Sequence, residues 1–314
     1  MSWQKWGLIY APSGRHTWDR THAAVPTVDP YADDRWRIYY ASRDAQNRSH
    51  TSYIEVDARD PRRVLYEHPE PILPLGPLGA FDECGIMPSW IVDVGAQKYL
   101  YYIGWTVRKT VPYHNAVGLA ISDDGGRTFR KWAAGPLFGS TATEPYFTGT
   151  SCVLWDEGVW KNWYMSCTKW ERIQGRPEPF YHLKVAESPD GLHWDRRGEV
   201  AIDYQSDEEA GIVRASVCRD ASGYRMWYAF RHAVDYRTDP NHGYRIGYAV
   251  SDDGHAWQRQ DALAGIERSD AGWDSQMITY PHVISVAGMR YMFYNGNGFG
   301  ASGFGLAVQP VEAR

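Results

Sequence analysis

Four carboxylates in this sequence recur at matching distances ahead of short apolar runs. Asp82 stands six positions before Pro88, Glu144 six before Thr150, Glu209 six before Ala215, and Asp274 seven before Pro281. Where a fifth would fall, the nearest polar residue is His22, four before Pro26. Carboxyl groups brought to one place can divide the work of general acid and base, because burial and neighbouring charges push their proton affinities apart. A second set follows the apolar runs: Arg43 and Asp44, Trp105, Lys169 and Trp170, Arg231 and His232, Asn295 and Asn297. Carboxylates and arginines that meet tryptophans in a concave mouth are what a carbohydrate site needs, since sugars stack on aromatic faces and present hydroxyls to charged acceptors. Each acid could equally cap a turn or pair with an arginine; three at one repeat phase weaken that alternative.

What must position these residues is a repeat. Paired aromatics inside strand-like runs occur at Tyr39-Tyr40, Tyr101-Tyr102, Trp163-Tyr164, Trp227-Tyr228 and Phe293-Tyr294, about 62 to 66 positions apart, close to one fifth of the 314 residues. Each run alternates large with small or polar residues, the period of a half-buried strand. Asp-Gly hairpin signals follow three of them, at Ser122-Asp123-Asp124-Gly125, Ser188-Pro189-Asp190-Gly191 and Ser251-Asp252-Asp253-Gly254, each closing on an aromatic: Phe129, Trp194 or Trp257. Four antiparallel strands repeated five times predict an all-β, five-bladed β-propeller forming one domain over 1–314. The last unit stops after three strands, and the spare segment Trp6–Tyr10 is expected to complete it and remove an open edge. A two-sheet sandwich of similar composition leaves five equal periods unexplained.

Composition closes off other classes. Thirty-three Lys+Arg against 38 Asp+Glu give a net charge of −5, and without a basic run a nucleic-acid partner is not expected. No apolar stretch is long enough to cross a membrane, and the start, Met1-Ser2-Trp3-Gln4-Lys5-Trp6, lacks a signal peptide's apolar run, so a cytoplasmic location is expected. The four cysteines, Cys84, Cys152, Cys167 and Cys218, form no CxxC pair and are expected to be reduced and buried.

The segments PSWIV, YLYYIGW, GLAISDDGGRTF, AESPDGLHW, YRMWYAFR, YAVSDDGHAW and YNGNGFGASGFGLA resemble the five-bladed propeller glycosidases of glycoside hydrolase families 43, 32 and 130, and more closely a glycosidase-like group of the same architecture. The resemblance spans essentially the whole chain. It implies cleavage of a glycosidic bond by two carboxyl groups, whose separation decides inversion or retention. Carried over by position, Glu209 becomes the acid and Glu144 the modulator, with Asp82 a third candidate at the same phase. The family's base lies in an Asp-Pro on the first inner strand; here Val25 precedes Pro26, and Asp29-Pro30 falls after that strand, so the base is unplaced. Strict counting also puts Arg214 where the family acid would stand. Trp105, Trp170 and Tyr280 are candidate sugar platforms, and His22, Arg43, Asp44, Arg214, Arg231, Asp274 and Asn297 candidate binding residues.

Two further readings use the same mouth. Arg214, Arg231 and His22 are similar to the cation cluster with which family 130 phosphorylases hold attacking phosphate. Alternatively, loss of the base leaves a non-catalytic sugar-binding propeller. Ser122–Phe129 also fits a sialidase turn motif, but only once. No cofactor is expected beyond a structural calcium ion, for which His282 is the candidate ligand.

Overall fold

A computed structural model describes residues 2–311. The chain is all-β apart from a short helical turn at Asn297–Gly300 and a 3-10 turn at Asp261–Leu263. After β1 (Gln4–Tyr10) come five antiparallel units: β2 (Thr21–Asp29), β3 (Arg35–Arg43), β4 (Ser49–Asp57) and β5 (Asp60–Glu67); β6 (Gly85–Val94), β7 (Gln97–Val107), β8 (Tyr113–Ser122) and β9 (Arg130–Lys131); β10 (Thr148–Asp156), β11 (Val159–Ile173), β12 (Arg176–Ser188) and β13 (Val200–Ile202); β14 (Glu209–Asp220), β15 (Gly223–His232), β16 (Arg245–Ser251) and β17 (Gln258–Arg259); and β18 (Thr279–Val286), β19 (Met289–Asn295) and β20 (Phe304–Pro310). β1 pairs with β20 and supplies the fourth strand of the fifth unit.

Units one and two, and units three and four, are joined by single parallel bridges, Ser49 to Gly85 and Tyr181 to Gly211. No sheet closes on itself among the described residues. The leading strands nevertheless pack in cyclic order, β2 on β6, β6 on β10, β10 on β14, β14 on β18, and β18 on β2.

Adjacent residues of a strand face opposite sides of the sheet, and this gives the paired aromatics two separate tasks. The first member reaches the next unit. The Tyr39 hydroxyl donates to Gly126 O, that of Tyr101 to Gly191 O, both at 2.7 Å, and Trp163 Nε1 to Gly254 O at 2.8 Å. Each acceptor lies in an Asp-Gly hairpin, whose Ser Oγ and Asp carboxylate take up the turn's backbone N–H groups, as Ser122 does for Gly126 and Asp124 for Thr128. Gly126 has φ +84, and a Cβ there would stand 2.4 Å from the Tyr39 hydroxyl. The fifth unit has no such hairpin, and Trp227 Nε1, the corresponding donor of unit four, is buried without a hydrogen-bond partner among the described residues. Tyr101→Phe, which leaves Gly191 O with Trp194 Nε1 as its remaining side-chain donor, is expected to lower unfolding free energy by about 1 kcal/mol in urea denaturation.

Candidate functional site

The Tyr40 hydroxyl bonds that of Tyr10 on β1, at 3.1 Å. In the other four units the second aromatic turns back to its own unit, and in three of them it meets the repeated acid. Tyr102 donates to Asp82 at 3.0 Å, Tyr164 to Glu144 at 2.8 Å and Tyr294 to Asp274 at 2.9 Å, each across a sequence separation of 20. A cation from the unit's outer edge completes each clasp: Lys131 on β9 lies 2.7 Å from Asp82, Arg196 ahead of β13 lies 2.8 Å from Glu144, and Lys5 on β1 lies 2.7 Å from Asp274. In unit four Tyr228 bonds Asp261 instead, and Arg259 joins Asp261 to Glu209 through contacts of 2.8 and 3.0 Å to both Glu209 oxygens. Ser166 also donates to Glu144. Burial pushes the Glu144 carboxyl up, but the bonds from Arg196, Ser166 and Tyr164 outweigh it and hold it below its ordinary 4.5.

All four acids are therefore buried within their own units, and none lines the central cavity. The expectation that Asp82, Glu144, Glu209 and Asp274 face one mouth differs from this geometry for a physical reason. A shared repeat phase is required equally by a clasp that every unit must build.

The cavity lies where the leading strands converge. It encloses about 440 Å³, within the range of small-molecule sites. Its walls include Trp105, Tyr113, Tyr181, Tyr244 and Tyr280, with Arg43 and Arg48 among its polar groups, and no aspartate or glutamate among the described residues lines it. Trp105 fits because Gly85 faces it: a Cβ on Gly85 would stand 1.8 Å from Trp105 Nε1. The leading strands bulge here. Val25, Arg214 and Tyr280, each at a bulge of its strand, take φ of 56, 58 and 53. Left-handed backbone costs a non-glycine residue about 1–2 kcal/mol, and such strain clusters at functional sites.

Arg214 points to the axis rather than to the cavity. Its guanidinium is fully buried and donates to Ser89 O and, at 3.0–3.1 Å, to Pro26 O, Thr27 Oγ1 and His282 Nδ1, while its backbone N–H donates to Thr150 Oγ1. One residue of unit four thus touches the other four units. Burial lowers its pKa to about 9, so it is charged at neutral pH. His282 is held well below its ordinary value, first by burial and then by Arg214, and its Nδ1 accepts the Arg214 bond. A calcium ion does not fit at His282, because the guanidinium already occupies the ring nitrogen and the facing oxygens; no cluster of three or more metal-ligating side chains exists among the described residues.

The remaining sequence candidates divide. Arg43, Trp105 and Tyr280 line the cavity. His22 lies beside Arg43, and burial followed by that charge lowers it to about 4. Asp44 binds Arg48, His50 and two backbone N–H groups, shaping the loop after β3. Trp170 lies inside the long β11 and packs edge-on against Tyr113 at 5.5 Å. Arg231 is buried one layer behind the wall, stacked 3.7 Å over Tyr236 and donating to the Tyr181 hydroxyl. Asn297 braces the 272–277 loop through Gln276 N and Gly272 O. Tyr113, Tyr181 and Tyr244 are absent from the residues expected on sequence grounds; Tyr113 opens β8 and Tyr244 immediately precedes β16, whereas Tyr181 lies inside the long β12.

No family model matches the sequence. Two curated Mycobacterium tuberculosis sequences, the uncharacterized proteins MT1551 and Rv1502, are each 39% identical over 308 residues, covering 98% of this chain and 99% of their own. The chain belongs to their family. Among solved structures, a glycosyl hydrolase from Bacteroides ovatus superposes with TM-score 0.73 at 13% identity over 100% of this chain and 96% of that one. A thermostable family-43 glycoside hydrolase gives 0.65 at 17% over 97% and 93%, and a BT0996 RGII complex 0.70 at 18% over 99% and 92%. The family fold is thus glycosidase-like. No helix among its described residues is long and apolar enough to cross a membrane.

Proposed function

We propose that the protein is a single-domain, five-bladed β-propeller that binds a saccharide in its central cavity. Five four-stranded units, leading strands packed in cyclic order and one arginine touching all the other units support the architecture. The observation that carries the binding reading is the cavity wall, where Trp105, Tyr113, Tyr181, Tyr244 and Tyr280 offer aromatic faces beside Asn115, Thr150 and Arg43. Aromatic faces cover the C–H surfaces of a sugar, and the polar groups fix its hydroxyls. One structural neighbour is an RGII complex, in keeping with a carbohydrate ligand.

Hydrolysis is the second reading, favoured by the fold shared with glycoside hydrolases. It needs two carboxyl groups about 5–9.5 Å apart across the scissile bond, with Glu209 as acid and Glu144 or Asp82 as its partner. These acids are committed to cations in the clasps, so saccharide recognition fits the geometry better.

A panel of saccharides and aryl glycosides, with and without phosphate, separates the readings. Binding is expected by calorimetry, and Trp105→Ala is expected to weaken it about 10-fold or more through loss of its stacking face. Turnover abolished by Glu209→Gln at unchanged melting temperature would instead establish the hydrolytic reading.

A further inference from the structure

Four arginines among the described residues are almost wholly buried, and they fall into two kinds. Arg37 and Arg290 each have an acid within hydrogen-bonding distance, Glu55 at 2.9 Å and Asp220 at 2.7 Å. Arg214 and Arg231 have no acid within 4.0 Å among the described residues; their donors go to carbonyl and hydroxyl oxygens and a histidine nitrogen. Arg231 lies directly behind the cavity wall, and Arg214 holds its guanidinium on the axis where the leading strands converge. Arg231 sits behind the hydrogen-bonded Tyr181–Tyr244 pair, and Arg214 follows Val213, which lines the wall. A third, half-buried arginine, Arg43, lines the cavity itself; among the described residues its side chain bonds only to Asn47, at 2.9 Å. Buried cations are ordinarily paired, because an uncompensated charge in a low-dielectric interior is costly. Three without an acid, around a cavity whose described wall holds no carboxylate, focus positive potential into it.

We infer that the cavity recognises an anionic group, a carboxylate or phosphate, on its saccharide, with Arg43 making the direct contact. Guanidinium presents parallel N–H donors to two oxygens of either group. Arg231 adds field from behind the wall and Arg214 from the axis. The inference rests on the saccharide reading and narrows it to acidic sugars. A larger depression of about 660 Å³ beside Arg219, Asp220 and Asp252 offers no such field, since Arg219 is bound to Asp156 and Glu157.

The test is titration calorimetry of the full chain with glucuronate, galacturonate, a hexose 6-phosphate, the neutral parent hexoses and inorganic phosphate. At least one acidic sugar is expected to bind about 10- to 100-fold more tightly than its neutral parent, the range of a charge-assisted bond. Arg43→Gln is expected to erase that preference at unchanged melting temperature, and Arg43→Lys to retain part of it. Neutral sugars binding as tightly as their acids would overturn the inference and leave the saccharide reading standing. Inorganic phosphate binding as tightly as the sugar phosphate, with no uronate bound, would support the anion site and overturn the saccharide reading.

Discussion

Arg214→Ala is expected to lower the melting temperature by about 6 °C in differential scanning calorimetry. Truncation removes the donors to Ser89 O, Pro26 O, Thr27 Oγ1 and His282 Nδ1 at once and leaves these buried acceptors facing an axial void. Each buried polar group left unsatisfied costs about 1–3 kcal/mol. Water entering the void recovers part of this, so a net loss of about 4 kcal/mol follows, and a chain of this size loses roughly 1.5 °C per kcal/mol. Arg214→Lys is expected to rescue little, because a single ammonium cannot span acceptors on three units as the planar fork does. Since Arg214 links unit four to the other four, the transition should also broaden as the units lose cooperativity. A loss below about 2 °C would show that the axis is held by strand packing alone.

Glu144→Gln is expected to cost about 3 kcal/mol in urea unfolding, the scale for breaking one side of a buried ion pair. The substitution leaves the Arg196 guanidinium, 11% exposed, without its carboxylate. Combining it with Arg196→Met should cost less than the sum of the single changes, because the nearer of its two cations is removed with it, leaving Lys184 at 3.8 Å as the remaining orphan. The pH dependence has a definite sign. Glu144 is held below its unfolded value of 4.5, so its stabilisation is complete above that value and is lost as the pH falls through the lowered folded value. That acid-limb loss should vanish in the double variant. A carboxylate kept for catalysis behaves differently, its removal ending turnover while leaving stability unchanged or raised.

Much of the architecture is legible in the sequence because strand periodicity and Asp-Gly turns are local signals. The spare N-terminal strand is readable from the incomplete last unit, and β1 does pair with β20. The site is less legible, for two reasons. Repeat phase shows which residues share a position but not which way they face, so Asp82, Glu144 and Asp274 look alike whether they line a mouth or clasp a unit. The constant separation of 20 to Tyr102, Tyr164 and Tyr294 is the available sign of the clasp. The axial role of Arg214 leaves no repeated trace, since only one unit can place a side chain there. Tyr181 and Tyr244 carry no comparable mark, because the strong signals of a third strand lie in the hairpin that ends it and not in the residues before or within it.

The most direct measurement is a crystal structure of the protein with a bound saccharide. The expected result is a sugar ring against Trp105, Tyr113, Tyr181, Tyr244 or Tyr280, its anionic group on Arg43, with Glu144 and Glu209 still paired to Arg196 and Arg259. A sugar bridging Glu209 and Glu144, with those ion pairs broken, would contradict the account.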